Sequence, residues 1–120
     1  MSKKILVVED EKAISRIMLM KLIQEGYAVD LADDGDKAVN FFLNNQYDCI
    51  LLDLILPKKD GFDVLSEIRS QDKDIKVMVL TNLGQIEDKL RVEKMGIQGY
   101  YVKSEMSIYE LIGKVKELLA

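Results

Sequence analysis

Four short apolar runs in the chain each end on a residue that phosphoryl chemistry can use. Ile5–Val8 leads into Glu9 and Asp10, Cys49–Leu52 into Asp53, Val77–Leu80 into Thr81, and Tyr100–Val102 into Lys103. If the runs are parallel strands of one sheet, their carboxyl ends share an edge, where open α/β folds bind their ligands. Three acids, a hydroxyl and an amine then converge. Glu9, Asp10 and Asp53 supply the hard oxygen ligands that Mg2+ prefers, while leaving coordination positions for water and phosphate. A bound divalent cation holds the three acids ionised against their mutual repulsion, and Lys103 adds a second positive charge beside a phosphoryl group. Asp53, in the middle, is then the nucleophile attacking phosphorus in line, with Thr81 donating a hydrogen bond and an aspartyl phosphate as product.

The elements that must position these residues follow from the pattern between them. Strand-like runs alternate with helical stretches of ten or more residues, which argues for five βα units around a parallel sheet. Ile5–Val8, Cys49–Leu52 and Val77–Leu80 are continuously apolar, as strands buried on both faces are, whereas Tyr27–Leu31 is interrupted by Asp30 and reads as an edge. Ile14, Ile17, Met18 and Leu22 mark the first helix, with Gly26 at its stop; Val39, Phe42 and Leu43 mark the second, and Leu65 and Ile68 the third. Leu111, Ile112, Val115 and Leu119 mark the last, which opens on a capping box, Ser107 to Glu110. The fourth helix, around Gln85–Lys94, has few apolar positions, mainly Ile86, Leu90 and Val92, and should be the least firmly anchored.

Composition sets limits. The chain has 120 residues, 48% of them hydrophobic, enough for one core covering both faces of a sheet. A formal charge of -4 without clustered Lys and Arg argues against direct nucleic-acid binding. The single cysteine, Cys49, excludes a disulfide framework and a cysteine-based zinc site, so a reducing cytoplasm is expected. Met1-Ser2-Lys3-Lys4 leads into an apolar run too short for a signal peptide or a membrane span. With no histidine in the chain, histidine-based acid–base catalysis is excluded.

Taken with the Pro57-Lys58-Lys59-Asp60-Gly61 turn and the aromatic Tyr100, the residues Glu9-Asp10, Asp53, Thr81 and Lys103 agree in order and spacing with a known pattern. The chain resembles the receiver domains of two-component response regulators over nearly its whole length. That resemblance implies a doubly wound, flavodoxin-like (βα)5 fold with a five-stranded parallel sheet in strand order 2-1-3-4-5, as one receiver domain over residues 1–120. It implies Mg2+ held by Asp10, Asp53 and the backbone carbonyl of Ile55, with Glu9 acting through water. It also implies transfer of a phosphoryl group to Asp53 from a histidine kinase or phosphotransfer protein. Thr81 and Tyr100 would form the switch, and the fourth helix, fifth strand and fifth helix the output face. The domain would be no enzyme beyond its own phosphorylation and dephosphorylation. Its downstream protein partner is not readable, and a monomer is expected, with phosphorylation-dependent dimerisation the alternative.

The chain also departs from the family pattern. Ser104 follows Lys103 where relatives usually carry proline on a cis peptide, a geometry costing about 2.5–4 kcal/mol without proline. A trans peptide that aims Lys103 differently is therefore the expectation. Asn82 stands beside the phosphate where a small residue is common, and Ile55 and Leu83 are apolar where many relatives are polar, from which slow self-dephosphorylation is expected. The alternative reading is a pseudo-receiver or scaffold, never phosphorylated and acting as a protein interaction module, to which Ser104 and Asn82 lend weight. An aspartate-nucleophile phosphatase fits worse, since Asp53-Leu54-Ile55 lacks a second acid two residues on. Each residue alone has a plainer role: Asp10 as cap of the helix beginning near Lys12, Glu9 as a solvated acid, Thr81 as a turn residue and Lys103 as a surface amine. Asp53 is the exception, because a carboxylate directly continuing Cys-Ile-Leu-Leu must be paired, metal-bound or at an open edge.

Overall fold

The computed structural model describes residues 2–120. Five strands alternate with five helices: β1 (Lys4–Val8), α1 (Lys12–Gln24), β2 (Ala28–Ala32), α2 (Gly35–Asn44), β3 (Cys49–Leu52), α3 (Gly61–Gln71), β4 (Lys76–Thr81), α4 (Ile86–Met95), β5 (Gly99–Val102) and α5 (Ile108–Leu119). A 3-10 turn, Lys103–Glu105, joins β5 to α5. The strands form one parallel sheet in the order β2-β1-β3-β4-β5, as the resemblance implied. The pairings Val8 with Leu52, Leu52 with Val79 and Thr81 with Val102 bring the carboxyl ends of β1, β3, β4 and β5 to one edge. Among the described residues, no helix is long and apolar enough to cross a membrane.

Strand alternation divides the core into two layers. Leu6, Val8, Ile50, Leu52, Val77 and Val79 face α2, α3 and α4, whereas Ile5, Val7, Cys49, Leu51, Met78 and Leu80 face α1 and α5. Both faces being covered, β1 and β3 contain no exposed position and their sequences need no polar alternation. The edge position of β2 explains Asp30, which accepts a hydrogen bond from the Tyr47 hydroxyl at 2.7 Å and pairs with Lys4 Nζ at 3.3 Å. A charge at an edge strand is also a deterrent to pairing with another chain.

Helix ends follow local chemistry. Asp34 Oδ1 accepts the Lys37 N–H at 2.8 Å, Asp60 Oδ1 accepts the Asp63 N–H at 2.9 Å, and Ser107 with Glu110 forms the capping box read from the sequence. α1 ends before Gly26, whose φ of 93° lies in the left-handed region that glycine enters without a steric cost.

Helix α4 differs in detail from its sequence reading. Val92 is its one fully buried side chain, while Ile86 and Leu90 are 59% and 49% exposed. Ile86 and Leu90 are four apart and share a stripe, but the side turned to the sheet carries Asp88, Val92 and Met95. α3 by contrast buries Phe62, Val64, Leu65 and Ile68. At about 1.5–3 kcal/mol per fully buried apolar side chain, α4 is held far less firmly than α3, in line with its sparse pattern. Ile17 in α1 and Leu43 in α2 also face outward.

Candidate functional site

The acids sit where strand geometry puts them. The Glu9 N–H donates to the Ala32 carbonyl at 3.0 Å and the Asp53 N–H to the Val8 carbonyl at 3.1 Å, so the sheet's hydrogen bonding carries one residue past β1 and β3. Glu9 and Asp53 are thereby 3% and 4% exposed, and Thr81, the last residue of β4, is fully buried. Asp10 is exposed. It does not cap α1, whose N-cap is Glu11 with no side-chain hydrogen bond, so the plain reading of Asp10 fails. Among the described residues it has neither a hydrogen-bond nor an ion-pair partner, which leaves both its oxygens available to a cation.

Lys103 joins the acids. Its Nζ lies 2.6 Å from Asp53 Oδ2, 2.6 Å from Glu9 Oε1 and 3.1 Å from Glu11 Oε1, with its side chain only 7% exposed. No described peptide bond is cis, so Lys103–Ser104 is trans, as expected for Ser104. The amine nevertheless reaches the cluster, because Lys103 opens the 3-10 turn and its long stem runs inward from the sheet edge. Glu11, which the sequence reading did not include, is the added partner. Its signal was only its position beside the acidic pair.

Electrostatics here are strongly coupled. Burial pushes the Glu9 carboxyl above its usual pKa, and the Lys103 ammonium and the Glu11 amide offset this only in part. For Lys103 burial opposes the charge, but the hydrogen bonds it donates to Asp53 and Glu9 outweigh this and hold the amine above its ordinary pKa. Three acidic side chains, Glu9, Glu11 and Asp53, thus share one ammonium, and Asp10 stands beside Glu9 and Asp53. Ligand oxygens of Glu9, Asp10 and Asp53 lie within 4.8 Å of one another. An all-oxygen donor set of this size, with acid in excess, suits a hard divalent cation such as Mg2+.

The remaining candidates contact Asp53 or Thr81 or lie beside them. Asp53 Oδ1 accepts the Ile55 N–H at 3.1 Å, which fixes the carboxyl plane and leaves Oδ2 to Lys103. The Ile55 side chain is 51% exposed at the lip of the site. Thr81 Oγ1 accepts a long hydrogen bond, 3.4 Å, from the Leu83 N–H, and the Tyr100 hydroxyl donates to the Leu83 carbonyl. One backbone residue therefore connects Thr81 to Tyr100. The Leu83 side chain packs against the layer facing α2, α3 and α4, and Asn82 is exposed.

Comparison with known proteins agrees with this geometry. The family model described as the response regulator receiver domain matches residues 5–116. The transcriptional regulatory protein CusR of Escherichia coli K12 is 36% identical over 116 residues, which make up 97% of this chain and 51% of CusR. The chain spans about half the length of the curated relatives it matches. Among solved structures, the non-phosphorylated HemR receiver domain from Leptospira biflexa superposes with a TM-score of 0.93 at 27% identity, covering 99% of this chain and 95% of that one. The response regulator protein TrrA from Thermotoga maritima, in complex with Mg(2+)-BeF, gives 0.85 at 37% identity and covers 97% and 98%. Family match and site geometry lead to one conclusion: the chain belongs to the response regulator receiver domain family.

Proposed function

We propose that this receiver accepts a phosphoryl group on Asp53 in a Mg2+-dependent reaction, from a histidine kinase or phosphotransfer protein, and passes the signal through α4, β5 and α5. The observation that carries this reading is the clamped Asp53 carboxyl, with one oxygen on the Ile55 amide and the other 2.6 Å from an ammonium. Such a carboxyl is pre-oriented, and orientation with charge neutralisation is most of what phosphoryl transfer requires.

The residues divide the work. Asp10 and Asp53, with the Ile55 carbonyl, would hold the cation, and Glu9 would act on it through water. When bound, the cation supplies positive charge to the phosphoryl oxygens. A carboxyl oxygen of Asp53 forms the new bond to phosphorus as the bond from phosphorus to the donor breaks. Lys103 then has a phosphoryl oxygen to pair with in place of the free carboxylate. The Thr81 hydroxyl moves to donate to another, and the movement stretches the already long bond it accepts from Leu83. Because Leu83 also accepts from Tyr100, this change reaches β5 and the start of α4. Asn82, exposed beside Thr81, borders the phosphate.

The setting we propose is a cytoplasmic one, in keeping with Cys49 as a buried free thiol, and a single receiver domain that is monomeric before phosphorylation. Ser104, the departure that favoured a pseudo-receiver, leaves Lys103 on Asp53. The test is the intact mass after incubation with acetyl phosphate. One phosphoryl adduct is expected with Mg2+, and none in EDTA or in Asp53→Asn. A folded, Mg2+-binding chain that gains no adduct would instead support the pseudo-receiver.

A further inference from the structure

The loop that clamps Asp53 is itself held from an unexpected direction. Residues 53–60 connect β3 to α3, and Ile55 within them orients the Asp53 carboxyl. At the far end the Gly61 N–H donates to the Leu54 carbonyl at 2.9 Å, which closes the loop on itself. Its tip, where Lys58 has a φ of 72°, rests on the first residue of α2: the Gly35 N–H donates to the Pro57 carbonyl at 3.2 Å. A Cβ on Gly35 would lie 1.9 Å from the Lys59 carbonyl oxygen and 2.6 Å from its carbonyl carbon. Contacts under 3.0 Å are essentially never made by real Cβ atoms, so the two backbones would have to part by about an ångström, with no side chain free to rotate away.

Nothing else at this position calls for glycine. Its φ is not in the left-handed region, and glycine lowers helix propensity relative to alanine. What Gly35 supplies is room. When that room is filled, α2 and the loop must separate. α2 is capped by the buried Asp34 and anchored through Ala38, whereas Ile55, Pro57 and Lys58 are exposed, so the loop is the part that yields.

We propose that Gly35 is a positioning residue of the acidic site: its missing side chain lets α2 seat the loop that aims Asp53 and Ile55. The inference rests on the reading of this cluster as a Mg2+ site, and its test separates the two. Titration calorimetry with MgCl2 on the parent, Gly35→Ala and Gly113→Ala is the first measurement. Gly113 has nothing within 4 Å of a Cβ, so it serves as the control. Gly35→Ala should bind Mg2+ about tenfold more weakly, as the loss of groups orienting metal ligands commonly does, while Gly113→Ala binds as the parent does and a cooperative unfolding transition shows Gly35→Ala to be folded. An unchanged affinity in the folded variant would overturn the role of Gly35 alone. The second measurement needs no variant: in the parent, the Gly35, Ile55 and Lys59 amide resonances should shift with one apparent Mg2+ affinity. A Gly35 resonance that stays still while Ile55 moves would again overturn it, even if Gly35→Ala did not fold. A parent chain that binds no Mg2+ would overturn the reading of the site itself, and this inference with it.

Discussion

Lys103 is held by three acids, two after β1 and one after β3, and its removal should be felt first in stability. Its side chain and those of Glu9 and Asp53 are 7%, 2% and 4% exposed, so deleting the ammonium leaves two buried acids facing one another. Lys103→Met should lower the free energy of unfolding in EDTA by about 3–5 kcal/mol, the range for breaking a buried pair from one side. Mg2+ should recover much of that loss, since the cation brings compensating charge to the same oxygens. Urea unfolding with and without Mg2+ reads both effects, and a variant as stable as the parent in EDTA would contradict the coupling. Ile55 concerns lifetime rather than stability. Its side chain is 51% exposed at the lip of the site, so a polar replacement can meet an incoming water without disturbing the core. Ile55→Asn should therefore shorten the lifetime of the phosphorylated form, and decay as slow as the parent's would remove Ile55 as the cause of slow hydrolysis. The same change at Leu83 would be harder to interpret, because that side chain packs on the core.

Helix α4 buries one apolar side chain, against four in α3, and lies next to the residue joining Thr81 to Tyr100. Its C-terminal end is better tethered: the Gly96 carbonyl accepts from Arg69 Nε at 2.9 Å and Nη2 at 2.8 Å. Motion in α4 should thus be largest at its N-terminal turn. Hydrogen exchange should run faster over Ile86–Leu90 than over Gly61–Gln71, with Val92 to Met95 between; equal protection across α3 and α4 would contradict this ordering. Strands β1, β3 and β4 were legible because each is an unbroken apolar run closed by an acid or threonine, and β2 because Asp30 interrupts it. The facing of α4 was not. Ile86 and Leu90 form a plausible stripe, and periodicity alone cannot choose between that stripe and the one through Val92, which the sheet takes. The candidate site was legible in residue type and strand end, but two of its contacts depend on tertiary distance. Glu11 reaches Lys103 across 92 positions, and Gly35 meets Lys59 only because α2 and the β3–α3 loop are brought together, which no local pattern encodes.

At the scale of the whole molecule, a net charge of -4 is joined by a local excess of acid at one sheet edge. Mg2+ binding there should stabilise the fold, by about 2.7 kcal/mol when the cation stands a hundredfold above its dissociation constant. Every account of signalling by this chain depends on one residue carrying the phosphoryl group. The most direct measurement is therefore chemical: treat the protein with acetyl phosphate and Mg2+, reduce with borohydride, and map the peptides by mass. An aspartyl phosphate is an acyl phosphate, which this treatment converts to homoserine. The account predicts conversion at position 53 alone, and none without Mg2+. Conversion at Glu9, Asp10 or Glu11, or at position 53 in EDTA as readily as with Mg2+, would contradict it.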